Sequence, residues 1–247
     1  MACYINKERE ENPNTSFVSA GDNIGGSPFE SSILKDEPTI EALNKMGLET
    51  SAVGNHEFDK GYEDLIDRIV PGTAGKQLGA NIFKVDGSRE VKPYTIVERD
   101  GVKVALVGTT SNLTVSKSNP ENVKGLNIAD SALQVNEEAK KIKDNGEADV
   151  VIALIHDPAK EAADKLDAKY VDFAFGGDSH IKDMNIEAAV PYFQSYEYGK
   201  VVTDLTFTYD KADKKIVARS AEQLDATDLE KLGITPDENV AKIVQEA

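Results

Sequence analysis

Apolar residues come along this chain in short runs, most of them followed at once by glycine and a polar cluster. Residues 16–20 lead straight into Gly21-Asp22-Asn23-Ile24-Gly25-Gly26-Ser27. Residues 50–53 end in Gly54-Asn55-His56-Glu57. The strongest run, 148–155, delivers His156, and the run at 171–175 delivers Gly176-Gly177-Asp178-Ser179-His180. Runs of this length bounded by turn residues predict buried strands. Segments 38–46, 61–70, 130–145 and 160–166 have helical spacing instead, with Gly47 and Gly146 as stops. The opening segment MACYINKERE also presents a helical face, ended by Asn12-Pro13-Asn14. Further strands are expected at 78–83, 94–99, 103–108, 192–195 and 201–209, with turns at Asp100-Gly101 and 210–214. The tail from Asp225 is charged and helical. Alternating strands and helices predict an α/β fold. The later strands lack intervening helices, which predicts a partly antiparallel sheet.

Composition narrows the partners more than the fold. The chain has 247 residues and a formal net charge of −16. That field repels nucleic-acid polymers and anionic membranes, so neither is an expected partner. A small phosphate ester can bind only where a local cation offsets the field. No run approaches the roughly 18 apolar residues of a membrane span, and the N-terminal residues contain no apolar signal core. The single cysteine, Cys3, rules out an internal disulfide.

In open α/β sheets, ligands bind beyond the carboxyl ends of strands. Four such ends would gather Asp22, Asn55, His56, His156, Asp178 and His180, and all three histidines of the chain lie in these clusters. Taken singly, each cluster has a plainer reading as a strand-to-helix turn or a packed histidine. Asn-His-Glu at 55–57 is different, because no turn requires it, and Asp59 stands three residues beyond His56, within reach of the imidazole. Together the four clusters point to a metal site with mixed nitrogen and oxygen ligands.

Gly21-Asp22, Gly54-Asn55-His56-Glu57, His156 and the segment 177–180 follow one another as in the calcineurin-like metallophosphoesterases. The chain resembles in particular their 5′-nucleotidase and 2′,3′-cyclic-nucleotide phosphodiesterase branch. Gly25-Gly26-Ser27-Pro28, Gly79-Ala80-Asn81-Ile82, Val91-Lys92-Pro93-Tyr94 and Gly108-Thr109-Thr110 extend the match over nearly the whole chain. The resemblance implies a four-layer α/β sandwich, two mixed β-sheets flanked by helices. It implies a cofactor of two divalent metal ions (Mn, Zn, Mg, Fe or Co) and hydrolysis of phosphate esters, nucleotides above all. Carried over by motif, Asp22 bridges both metals, Asn55 and His156 bind the second, and Asp178 stands where that metal usually has a histidine. His180 stands at a ligand position of the first metal. His56, oriented by Asp59, stabilises the transition state or protonates the leaving group. The resemblance also implies an extracellular or cell-envelope location.

The chain departs from that pattern in three places. The strand ending in Asp-x-His that opens the family's domain is missing, so the first metal keeps only Asp22 and His180, and one site is expected to be impaired. Asp178 replaces an imidazole, either as a harder ligand or as a position that no longer binds metal. Residues 1–224 are expected to form the metallophosphoesterase domain, truncated at its start. Residues 225–247 are expected to form a linker helix toward an absent C-terminal substrate domain. The competing expectation is a degenerate domain of the same fold that binds a metal or a partner without catalysis.

Overall fold

The protein is described over all 247 residues by a computed structural model. Its strands are β1 (Val18–Ser19), β2 (Thr50–Ala52), β3 (Lys76–Leu78), β4 (Ile82–Lys84), β5 (Tyr94–Arg99), β6 (Val102–Thr109) and β7 (Leu126–Ile128). They continue with β8 (Val150–Ile155), β9 (Phe173–Gly176), β10 (Lys182–Asn185), β11 (Tyr192–Ser195), β12 (Val201–Asp210) and β13 (Lys215–Asp225). One sheet is parallel, in the order β1-β2-β3. The larger sheet runs β10-β11-β9-β8-β6-β5, parallel through its four central strands and closed by an antiparallel strand at each edge. Two antiparallel pairs complete the fold, β4 with β7 and the long hairpin β12–β13.

The near-continuous apolar sequence of β6 and β8 reflects burial on both faces. Alternation sends Ala105, Val107, Val151, Ala153 and Ile155 to one side, against the helices Ser131–Asp144 and Ala159–Ala163. It sends Val104, Leu106, Val150, Ile152 and Leu154 to the other, against Ala52 and Leu78 of the small sheet and the inner residues of the hairpin. A third cluster, including Ile40, Val53, Phe58, Leu65 and Ile69, covers the far side of the small sheet with helix Glu37–Lys45 and the helical segment 62–72. The order is therefore helices, sheet, sheet, helices, the α/β layering that the resemblance implies.

Local differences have local causes. Residues 78–83 do not form one strand. The chain breaks at Gly79, whose N–H bonds to the Lys92 carbonyl, and the wholly buried Asn81 amide then bridges Thr110 and Ala129. The turn at Asp100-Gly101 is present, both residues having positive φ (46° and 72°) as a tight hairpin turn demands. The tail forms helices Ala226–Lys231 and Glu238–Glu246. The second packs back on Glu37–Lys45, and Asn6 Nδ2 donates to Asp237 Oδ2 at 3.0 Å. No helix is long and apolar enough to cross a membrane.

Candidate metal centre

The carboxyl ends of β1, β2, β8 and β9 meet because glycines let the backbones approach. A Cβ on Gly54 would lie 2.1 Å from Asp22 Oδ1, and one on Gly177 would lie 3.0 Å from His156 Nδ1. Larger residues would hold the strand ends apart. Three polar residues at these ends, Asp22, Asp178 and His180, have left-handed backbone (φ 54°, 65° and 53°), a conformation that clusters at functional sites.

Asp22 is fixed by its neighbours. Its Oδ1 accepts the His56 N–H at 2.9 Å, while its own N–H donates to Glu57 Oε2 at 3.0 Å. Glu57 is fully buried and also accepts N–H groups from Asn23 (2.8 Å) and Gly54 (2.6 Å), tying the ends of β1 and β2 to one carboxylate. Burial and the charge of Asp22 push the Glu57 carboxyl up to about 7, against the pull of these donors. Burial would likewise raise Asp22, but His156 and the His56 N–H hold it below the usual carboxylate range.

His156 has the character of a ligand. Its Nδ1 lies 2.8 Å from the Ala20 carbonyl, so Nδ1 carries the proton and Nε2 is the free ring atom. Nε2 is 3.0 Å from Asp22 Oδ2 and 3.9 Å from Asp178 Oδ1. It is buried and makes no hydrogen bond, because the Asp22 oxygen, although near, is off the line that such a bond requires. Asn55 Oδ1 is buried without a partner as well. Orphaned buried polar atoms are costly, and a cation is the partner that both of these lone pairs suit. Burial works against a charged His156, but Asp22 outweighs it and lifts the ring to about 9, so below that pH a cation has to displace a proton from Nε2 before it can take the lone pair.

The remaining residues lie around this core. His56 is partly exposed, and its Nδ1 is 2.9 Å from Asp59 Oδ2, which also accepts the Gly26 N–H at 2.9 Å. Burial lowers the affinity of His56 for a proton, but Asp59 and Asp22 more than restore it. Asp178 has its side chain largely buried and pairs through both oxygens with Lys117. His180 faces outward, with Nδ1 3.2 Å from Glu197 Oε2 and its ring edge-on to Tyr198. No three His, Cys, Asp or Glu side chains close into a ready cage. The residues that could hold a divalent ion are Asp22, Asn55 and His156, two of them with orphaned buried atoms, and Asp178 lies beside them. The sequence motifs assign no role to Glu57 or Lys117. The signal for Glu57 is that it is a carboxylate inside a motif that no turn explains. Lys117 carries no sequence signal at all.

Residues 2–182 match the family model described as calcineurin-like phosphoesterase. The chain is 32% identical over 248 residues to the endonuclease YhcR of Bacillus subtilis, covering 90% of this chain and 20% of that protein. It is 33% identical over 141 residues to the 5′-nucleotidase of Vibrio cholerae, covering 57% of this chain and 25% of the relative. The chain therefore spans only a fifth to a quarter of the length of these curated relatives. The crystal structure of the calcineurin-like phosphoesterase YfkN from Bacillus subtilis superposes with a TM-score of 0.82 at 24% identity, covering 99% of this chain and 86% of that one, which speaks to the fold. With its four motif-bearing strand ends converging in one place, the chain belongs to the calcineurin-like phosphoesterases, a family of hydrolases.

Proposed function

We propose that this domain hydrolyses the phosphate ester of a small nucleotide with the help of a bound divalent ion. The observation that carries the reading is His156: Nδ1 is locked on the Ala20 carbonyl while Nε2 is left buried, unbonded and facing Asp22. Carboxylate, amide oxygen and imidazole form a borderline donor set that suits Mn²⁺, Zn²⁺, Fe²⁺ or Co²⁺, and the extra carboxylate at 178 shifts it toward Mn²⁺ or Mg²⁺. Asp22, Asn55, His156 and Asp178 would hold the ion, and His180 would serve a second, weaker position. The ion supplies Lewis acidity and offsets the negative field of the chain where a phosphate must sit. Asp22 is oriented for this by the His56 N–H and by the grip of Glu57 on its backbone. Asp59 holds His56 so that its Nε2 faces outward, and a proton on that nitrogen passes to the leaving ester oxygen.

Hydrolysis of AMP and p-nitrophenyl phosphate, with Mn²⁺ and with EDTA, tests the reading. Turnover that requires metal and falls at least about a hundredfold in His156→Ala supports it. Metal-independent turnover, or none with any small ester, sinks it. The second reading, a domain that binds without catalysing, is favoured by Lys117 on Asp178 and by Glu197 on His180. Tight Mn²⁺ binding with no turnover would select it. The endonuclease relative raises polynucleotides as a third substrate, which the charge of −16 opposes. We further infer that residues 1–224 are the catalytic unit, that 225–247 lead toward a substrate-binding domain, and that the protein works outside the cytoplasm. Limited proteolysis and cell fractionation check these.

A further inference from the structure

We propose that Lys117 and Asp178 act as one neutral unit standing in for an imidazole at the metal centre, with Lys117 setting how strongly the centre attracts a cation. The proposal rests on the metal-site reading above. Asp178 is mostly removed from water, and its Oδ1 is 3.9 Å from His156 Nε2, so its carboxylate borders the same space as the orphaned ring nitrogen. Both of its oxygens pair with Lys117 Nζ. An ion pair with one partner so desolvated is stronger than an exposed one, because water screens it less.

The lysine does not reach this place by chance. It ends the short helix Thr114–Lys117, whose segment is anchored to the strand ends that build the site. Ser111 Oγ donates to Asp157 at 2.8 Å, beside His156. Ser118 Oγ donates to the Asn55 carbonyl at 3.3 Å, and Asn122 Nδ2 to the Asp59 carbonyl at 2.8 Å. The ammonium is thus delivered by a strap fixed at both ends of the site.

Charge explains the pairing. A carboxylate where the family resemblance expects an imidazole adds one negative charge to a donor set that already holds Asp22. The Lys117 ammonium cancels that charge and leaves Asp178 with lone pairs to spare, since each carboxylate oxygen accepts more than one bond. Removing the ammonium restores the full charge of Asp178 and tightens the hold on a divalent cation. Where Asp178 is neutralised, nothing keeps the flexible lysine at the site, and its removal has no effect.

Isothermal titration of Mn²⁺ into the full chain tests this on the wild type, Lys117→Met, Asp178→Asn and the double variant. Lys117→Met is expected to tighten Mn²⁺ on the order of tenfold, the scale on which partners of a ligand act. In the Asp178→Asn background the same change is expected to do almost nothing. Unchanged or weaker Mn²⁺ binding in Lys117→Met overturns the proposal alone. So does an equal gain in both backgrounds, which would make Lys117 a diffuse charge. Failure of all four proteins to bind Mn²⁺ removes the metal-site reading, and the proposal with it.

Discussion

Replacing Gly54 by alanine tests whether the close approach of β1 and β2 is what builds the metal centre. The added methyl would sit 2.1 Å from Asp22 Oδ1 and 2.5 Å from the Asp22 backbone nitrogen. Ordinary contact demands that one strand end retreat by about 1 Å or more, and overpacking of this kind costs about 1–3 kcal/mol. Gly54 does not have positive φ, so no backbone strain confuses the result. The retreat falls on the Asp22 carboxylate, whose Oδ1 accepts the His56 N–H and whose Oδ2 faces His156. A displacement of about 1 Å costs on the order of a hundredfold in function. Urea unfolding in EDTA should show the variant folded but weakened, and titration with Mn²⁺ should show affinity lowered by about that factor. Wild-type Mn²⁺ affinity at undiminished stability would refute the argument that glycine is needed here for proximity.

Three further outcomes follow from the same geometry. Glu57→Gln should lose about 2 kcal/mol by urea unfolding, because an NH₂ group replaces one oxygen that receives backbone N–H donors and leaves a buried donor without an acceptor. Mn²⁺ at a hundred times its Kd should stabilise the wild type by about 2.7 kcal/mol, and His156→Ala should abolish this gain in thermal unfolding. Asp36 accepts the Gly25 N–H and the Ser31 hydroxyl, and although burial opposes its charge, Ser27, Ser31 and Gly25 hold its carboxyl below the unfolded value of 3.8. Its contribution is complete above that pH and is lost as pH falls through the lower folded value. Asp36→Asn should therefore cost more stability at pH 6 than at pH 3.

Much of the fold could be read from the chain because its strands are short apolar runs punctuated by glycine. Runs 148–155 and 171–175 appear as β8 and β9, and the polar clusters after them lie at the predicted strand ends. What escaped depends on partners distant in sequence. The strand expected over 78–83 is broken by the Asn81 amide, whose partners Thr110 and Ala129 lie 29 and 48 residues away. β13 gave no pattern because most of its residues are exposed and charged ones fall on both faces. Lys117 is separated by 61 residues from the Asp178 it neutralises, and in sequence it is one lysine among many. The polar clusters at the strand ends were legible by motif, but which of their side chains turn inward was not. His156 is buried against Ala20, while His180, on the neighbouring strand end, turns to Glu197.

The bond between His156 Nδ1 and the Ala20 carbonyl joins the larger sheet to the smaller one. It acts as a rivet through the sandwich. If one sheet slides past the other, the imidazole is released from its carbonyl and its two nitrogens can exchange roles. Ligand chemistry at the centre and shear between the layers are therefore one mechanical coordinate. Whatever grips Nε2 also holds this bond in place, so occupancy of the centre should register as slower amide exchange along β1 and β8.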